Sequence, residues 1–204
     1  MQDWEAKKAM KAAVAKALQS ANPHLVAVSG EKGCDGLNAA AKNIRIELKR
    51  AFPAVKFAVK SSRYSGGDSI SVRWTDGPQS EQVDAIIGKY AAGSFSGMDD
   101  SYTYSDSRWN DAFGDAKYIS ATRDYSDKAI DSAIRYVWAR YGFNGAAKPA
   151  VADFRAGRCW GVRDDGGSYD DLQSLIYRAA ARQTWALASK AARVAVSINE
   201  KEAA

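Results

Sequence analysis

The chain has 204 residues, 46% of them apolar, with six tryptophans and ten tyrosines, and carries a net charge of +5. That is enough apolar mass for a real core, which excludes global disorder, and the mild positive charge permits attraction to nucleic acid without requiring it. Two cysteines far apart in sequence exclude a disulfide framework, and no run approaches the ~18 apolar residues of a membrane span.

In chain order, residues 2–20 read as a helix, with Ala6, Met10, Ala13, Val14, Ala17 and Leu18 on one stripe and Asn22-Pro23 as its stop. The glycine-rich stretch Ser29 to Gly36 reads as a linker. A second helix is expected from Asn38, with Ala41, Ile44, Leu48 and Ala51 facing inward and Phe52-Pro53 ending it. Lys42, Arg45 and Lys49 recur at i, i+3 and i+7, so they form one cationic ridge. Val55, Phe57 and Val59 then alternate with Lys56, Ala58 and Lys60. After the turn Tyr64 to Asp68, Ile70, Val72 and Trp74 alternate with Ser71 and Arg73, which predicts a hairpin with one apolar and one basic face.

Asp76-Gly77-Pro78 is a turn into a third helix bearing Val83, Ile86, Ile87 and Tyr90. Residues 93–115 read as irregular, 117–122 as a third strand, and Ser126 as the cap of a helix burying Ile130, Ile134, Val137, Trp138 and Tyr141. Residues 142–167 read as loop. Ser168-Tyr-Asp-Asp171 resembles a capping box opening a long final helix over about 170–198, whose seam would run through Leu172, Ile176, Ala179, Gln183, Leu187, Val194 and Ile198. The seam packs either on the first helix or on a second copy of the chain, so a homodimer through the terminal helices stays open. Together these elements predict an α+β fold: a small antiparallel sheet, a hairpin plus a third strand, packed with helices and flanked by N- and C-terminal helices.

Charge divides the middle of the chain. Between Lys42 and Arg73 eight basic residues face two acids, Glu47 and Asp68; between Asp76 and Asp115 eight acids face Lys89 and Arg108. This bipolar pattern suits docking on a charged macromolecule better than it suits a small-molecule site. The candidate binding residues are Lys42, Arg45, Lys49, Lys56, Lys60, Arg63 and Arg73, expected to face outward as a single plate on the second helix and the hairpin. The alternative is a simply solvated face. Phe95, Tyr102, Tyr104, Trp109 and Phe113 sit in the acidic stretch, where the choice lies between core packing and a protein anchor.

Catalysis finds little support. The single histidine, His24, follows Asn-Pro, and Cys34 lies in a glycine-flanked loop with no other base in sequence reach. There is no phosphate-binding glycine loop and no HExxH. Asp164 to Asp171 lacks the alternation and terminal Glu of a calcium loop and reads as turn plus helix cap. No enzyme, cofactor or metal is expected.

The run Ala41 to Phe57, then Ser65-Gly-Gly-Asp-Ser-Ile70, Val72 to Pro78, Gly93-Ser-Phe-Ser-Gly-Met-Asp99, and Phe113-Gly-Asp-Ala-Lys-Tyr118 with Arg123 following, resembles in order the large polyvalent protein-associated domains. The resemblance covers about residues 38–126. Such domains are carried by phages, plasmids and related mobile elements, so it implies a counter-defence protein, acting against CRISPR or restriction systems, in the cytoplasm of a bacterial host. The implied partner is a host defence complex; nucleic acid, handled or protected on entry, is the alternative. No catalytic residues are established for the domain type, so none carries over. The implied organisation is an N-terminal helix and linker (1–36), the α+β domain (37–145), and a loop with a long C-terminal helix (146–204).

Overall fold

The computed structural model describes residues 2–28, 35–98, 100–143, 145–167 and 169–183. Cys34, Ser168 and the expected helix beyond residue 183 lie outside them. Described residues up to Trp74 and from Ser80 to Thr122 form one compact unit; Thr75–Gln79 together with residues from Arg123 onward form a second.

In the first unit, α1 (Gln2–Ala21) and α2 (Asp35–Ala51) precede the hairpin of β1 (Ala58–Tyr64) and β2 (Gly67–Thr75). Helix α2 buries Ala41, Ile44, Leu48 and Ala51, the inward stripe read from sequence, together with Leu37 and Ala40, against Val59, Ile70, Val72 and Trp74 of the hairpin. Arg45 fastens the helix to the sheet by donating to the backbone oxygen of Val59 at 2.5 Å and of Ala41 at 3.2 Å. The strands pair antiparallel with Val59 opposite Val72 and Tyr64 opposite Gly67. β1 starts three residues later than Val55, the expected first apolar position, because Pro53 to Val55 form a turn in which the Val55 amide donates to the Phe52 carbonyl at 3.0 Å. Phe57 still contributes, its ring lying between Phe52 (6.1 Å) and Trp74 (5.7 Å).

Helix α3 (Ser80–Ile87) and a 3₁₀ turn (Gly88–Tyr90) bury Val83, Ile87 and Tyr90 as the periodicity predicts. The stretch expected to be irregular contains a second hairpin, β3 (Gly93–Ser96) with β4 (Ser101–Tyr104), and a short helix, α4 (Arg108–Phe113). Ser107 caps α4 by accepting from the Asn110 amide. Strand β5 (Tyr118–Asp124) joins the main sheet beside β2, in the order β1-β2-β5. The Asp68 carboxylate accepts from the Lys117 amide where both strands begin, and the Asp76 amide donates to Asp124 where both end. β5 therefore runs parallel to β2. The α+β class holds, and the sheet is mixed rather than wholly antiparallel, because α3, β3-β4 and α4 form a crossover long enough to return the chain to the same end.

Helix α1, assigned by sequence to a separate segment, packs on α4. Among its described side chains only Val14, Ala15, Leu18 and Gln19 are partly covered; Ala6, Met10, Ala13 and Ala17 of the expected stripe are exposed. Buried Asn43 locks this end of the unit, exchanging bonds of 2.7 and 2.8 Å with the Val26 backbone and donating to Phe113 at 3.1 Å. Gly114 ends α4 at φ +82°, where a Cβ would lie 2.0 Å from the Gly36 carbonyl oxygen. Gly114→Ala therefore costs about 3 kcal/mol or more, from positive-φ strain plus a backbone clash, read as a drop in the urea midpoint.

In the second unit, α5 (Asp127–Arg140), α6 (Val151–Arg155) and α7 (Leu172–Arg182) enclose a core of Ile130, Ile134, Val137, Phe143, Phe154, Leu172, Leu175 and Ile176. Ser126 caps α5 as expected, accepting from the Ala129 amide. Helix α7 starts later than the sequence implied: its cap is Asp171, accepting from the Ser174 amide at 2.9 Å. Its seam residues Leu172, Ile176 and Ala179 pack within this unit, with α5. α6 sits in the stretch expected to be loop, opened after Pro149 by Asp153, whose carboxylate accepts from the Ala150 amide.

Candidate functional site

The sheet alternation separates the candidate cations. Odd-numbered Val59 on β1 and even-numbered Ile70, Val72 and Trp74 on β2 point at α2, and Ile119 and Ala121 continue that face on β5. The opposite face carries Ala58, Lys60, Ser62 and Tyr64, then Ser69, Ser71 and Arg73, then Tyr118, Ser120 and Thr122. Lys60 stands opposite Ser71 and Ala58 opposite Arg73, so Lys60 and Arg73 are diagonal neighbours on one face. Both are exposed, and among the described residues neither has an ion-pair partner.

The single plate expected from sequence is divided. Lys42 and Lys49 are exposed on α2, which covers the other side of the sheet. Arg45 spends its guanidinium on the Ala41 and Val59 carbonyls. Lys56 is exposed in the turn before β1, and Arg63 stands opposite Asp68 near the hairpin tip, on the parity of Val59. Only Lys60 and Arg73 share the open face. A helix on one side of a sheet puts its outward ridge and the sheet's far face on opposite surfaces, a constraint that charge spacing along the sequence does not express.

The aromatic stretch also divides. Phe113 is buried and Trp109 half-buried, in edge contact with Tyr90 at 6.0 Å. Lys89 lies 4.2 Å over the Trp109 ring and donates to Glu47 at 2.6 Å, while the Tyr90 hydroxyl donates to the same carboxylate at 2.7 Å. Burial, and then the Glu47 charge, push the Tyr90 hydroxyl far above the ordinary phenol range. It is a fixed donor joining α2 to the 3₁₀ turn.

Phe95, Tyr102 and Tyr104 share one face of the β3-β4 hairpin, with Phe95 54% and Tyr104 66% exposed. Tyr102 meets Tyr104 at 4.7 Å and Tyr118 at 5.7 Å, and its hydroxyl donates to the Lys117 carbonyl at 2.7 Å. The Lys117 ammonium lies 5.3 and 5.4 Å from the Tyr102 and Tyr118 rings. A groove of about 260 Å³ runs here, lined by Asp84, Ile87, Phe95, Tyr102, Lys117 and Tyr118 among others. Tyr118 thus belongs both to this groove and to the open-face series of β5. Its role was not read from the sequence, though a tyrosine opening a strand at an outward parity was the available signal.

Nearby, burial first, and then the charges of Asp68 and Asp111, hold the Asp115 carboxyl above the usual carboxylate range. A folded-state value above the unfolded one means that ionising Asp115 opposes folding, and the penalty is present only above that range. Asp115→Asn should raise the unfolding free energy at pH 7 by up to about 1 kcal/mol, and change it little at pH 3, as read by urea titration; equal gains at both pH values would contradict the assignment.

Among the described residues, no group of three or more His, Cys, Asp or Glu side chains could hold a metal ion, and no helix is long and apolar enough to cross a membrane. His24 is exposed; Cys159 is buried, and desolvation first, then Asp153 and Asp171, raises its thiol above the ordinary range. The unit thus offers two adjoining surfaces, a hydroxyl-rich sheet face with two unpaired cations and an aromatic groove. No curated protein and no solved structure matches the chain. Residues 36–126, somewhat under half of the chain and the span of the sequence resemblance, match the family model Large polyvalent protein associated domain 29, a domain associated with phage and mobile-element polyvalent proteins.

Proposed function

We propose that this chain is a non-enzymatic counter-defence protein of a mobile element, which disables a host defence complex by docking on one of its protein surfaces. The contact surface is the aromatic side of the β3-β4 hairpin together with the open sheet face. The observation that carries this reading is the exposure of Phe95, Tyr104 and Tyr118 around Tyr102, at one end of a sheet whose open face also carries the cations Lys60 and Arg73. Large rings and guanidinium groups are the side chains that most often dominate protein interfaces, and exposing three rings together serves a monomer poorly. The acidic groups Asp84 and Asp115 around the groove repel phosphate, which favours a protein over a nucleic acid at the hairpin. The test is phage plating and plasmid transfer in hosts carrying a restriction or CRISPR system, with and without the protein. Rescue of plating only where the defence system is present supports the reading; no rescue in any defended host refutes it.

A second reading has its own observation. On the open face Lys60 and Arg73 stand among Ser62, Ser69, Ser71, Ser120 and Thr122 with Tyr118 at the edge, a set able to contact phosphates and stack a base. Six phosphate contacts through the whole charged set would give a log–log salt slope near −5; with the set divided, two cations give a slope near −2. Absence of binding to generic DNA at low salt removes this reading and leaves the first untouched.

A further inference from the structure

In the second unit a groove of about 350 Å³ lies between the C-terminal turns of α5 and α7. Its charged lining is wholly basic: Arg140 from α5, and Arg178 and Arg182 from α7, with Tyr136, Tyr141 and Gln183 completing the polar part. Each helix contributes a pair one turn apart, Tyr136 with Arg140 and Arg178 with Arg182, and the two pairs face the same space. Arg178 is ion-paired with Asp170, which does not line the groove. Arg140 and Arg182 are exposed and have no ion-pair partner among the described residues. A basic residue in the last turn offsets the dipole of its own helix, which accounts for Arg140 and Arg182 separately. It does not account for three guanidinium groups converging on one groove, with Arg178 alone carboxylate-paired among the described residues, since like charges one turn apart repel. A dianion in the groove would turn that repulsion into attraction, since guanidinium forks match phosphate oxygens in geometry as well as charge.

We propose that this groove binds a nucleotide, with Arg140, Arg178 and Arg182 holding its phosphate and Tyr136, 55% exposed at the rim, stacking on its base. The site lies within the second unit and does not depend on the docking reading above. The phosphate can be that of a free nucleotide or the terminal phosphate of a strand, and both present the same group to the arginines.

The test is isothermal titration of the full chain at low salt with inorganic phosphate, a nucleoside monophosphate, and a short 5′-phosphorylated oligonucleotide beside its unphosphorylated form. The nucleoside monophosphate should bind more tightly than inorganic phosphate. R140Q/R182Q should weaken binding on the order of tenfold for each guanidinium lost, and Y136A should remove the preference for the nucleotide over inorganic phosphate. K60E/R73E, in the other unit, should leave this binding unchanged. A gain for the phosphorylated oligonucleotide over its unphosphorylated form assigns the strand end as ligand; no gain assigns the free nucleotide. All three residues changed are exposed, and the single variant R140Q serves should the double variant unfold. No binding of any phosphate ligand at millimolar concentration, inorganic phosphate bound as tightly as the nucleotide, or R140Q binding as the parent does would each overturn the proposal.

Discussion

Arg123→Met should lower stability by about 3–5 kcal/mol, an effect set by what surrounds this one side chain. The guanidinium is buried and donates to the carbonyls of Asp76 and Gly77 at 3.1 Å, of Ala181 at 2.8 Å and of Gln183 at 2.5 Å, with the Tyr125 ring at 5.1 Å. Two of the acceptors close the C-terminal end of α7, where helix carbonyls lack intrahelical donors. The other two belong to a turn held at positive φ, 57° at Asp76 and 69° at Gly77, whose Asp76 carboxylate also accepts from the Ser126 amide that opens α5. Methionine fills similar volume but leaves four carbonyls without their donor. Lysine restores the charge without the planar fork and should recover less than half of the loss. Urea unfolding at pH 7 measures this, and a loss under 1 kcal/mol for Arg123→Met would show that Arg123 is not the tie between this turn and the end of α7.

Phe95→Ala combined with Tyr104→Ala should leave stability almost unchanged and reduce partner affinity by about 2–4 kcal/mol. Both rings are more than half exposed, so little core packing is lost when they are cut back. If they anchor a protein, each leaves an unfilled pocket on the partner. The readout is protection in the defence-challenge assay alongside a thermal melt. Full protection with an unchanged melt would show that the hairpin rings touch nothing that matters.

Much of the fold was legible because burial imposes a period. The i, i+3, i+4 spacing of Val83, Ile86 and Ile87 and the alternation through Ile70, Val72 and Trp74 could be satisfied in only one way each. The β3-β4 hairpin was not legible because its strands are four residues long, too short for the alternation of Ser101-Tyr-Thr-Tyr104 to stand out from an irregular, aromatic-rich stretch. α6 has only five residues and no periodicity to display. The direction of β5 depends on a crossover that no local pattern encodes. For the candidate site, sequence identified the cations but not their sides: Lys49 and Lys60 look alike in charge, yet one rides the covering helix and the other the uncovered face. Arg45 looked like part of the ridge, and its bond to the Val59 carbonyl is a long-range fact.

The central claim is that the uncovered sheet face, and not the helix ridge, engages the partner. Its most direct test sets two charge reversals side by side in the defence-challenge assay, Lys60→Glu with Arg73→Glu on the sheet and Lys42→Glu with Lys49→Glu on α2, each checked by thermal melt. The sheet pair should lose protection by about a hundredfold, as two unpaired cations at an interface become two repelling anions, while the helix pair stays within about threefold of the parent. Protection retained by the sheet pair and lost by the helix pair, with both folded, would place the working surface on the other side of the molecule.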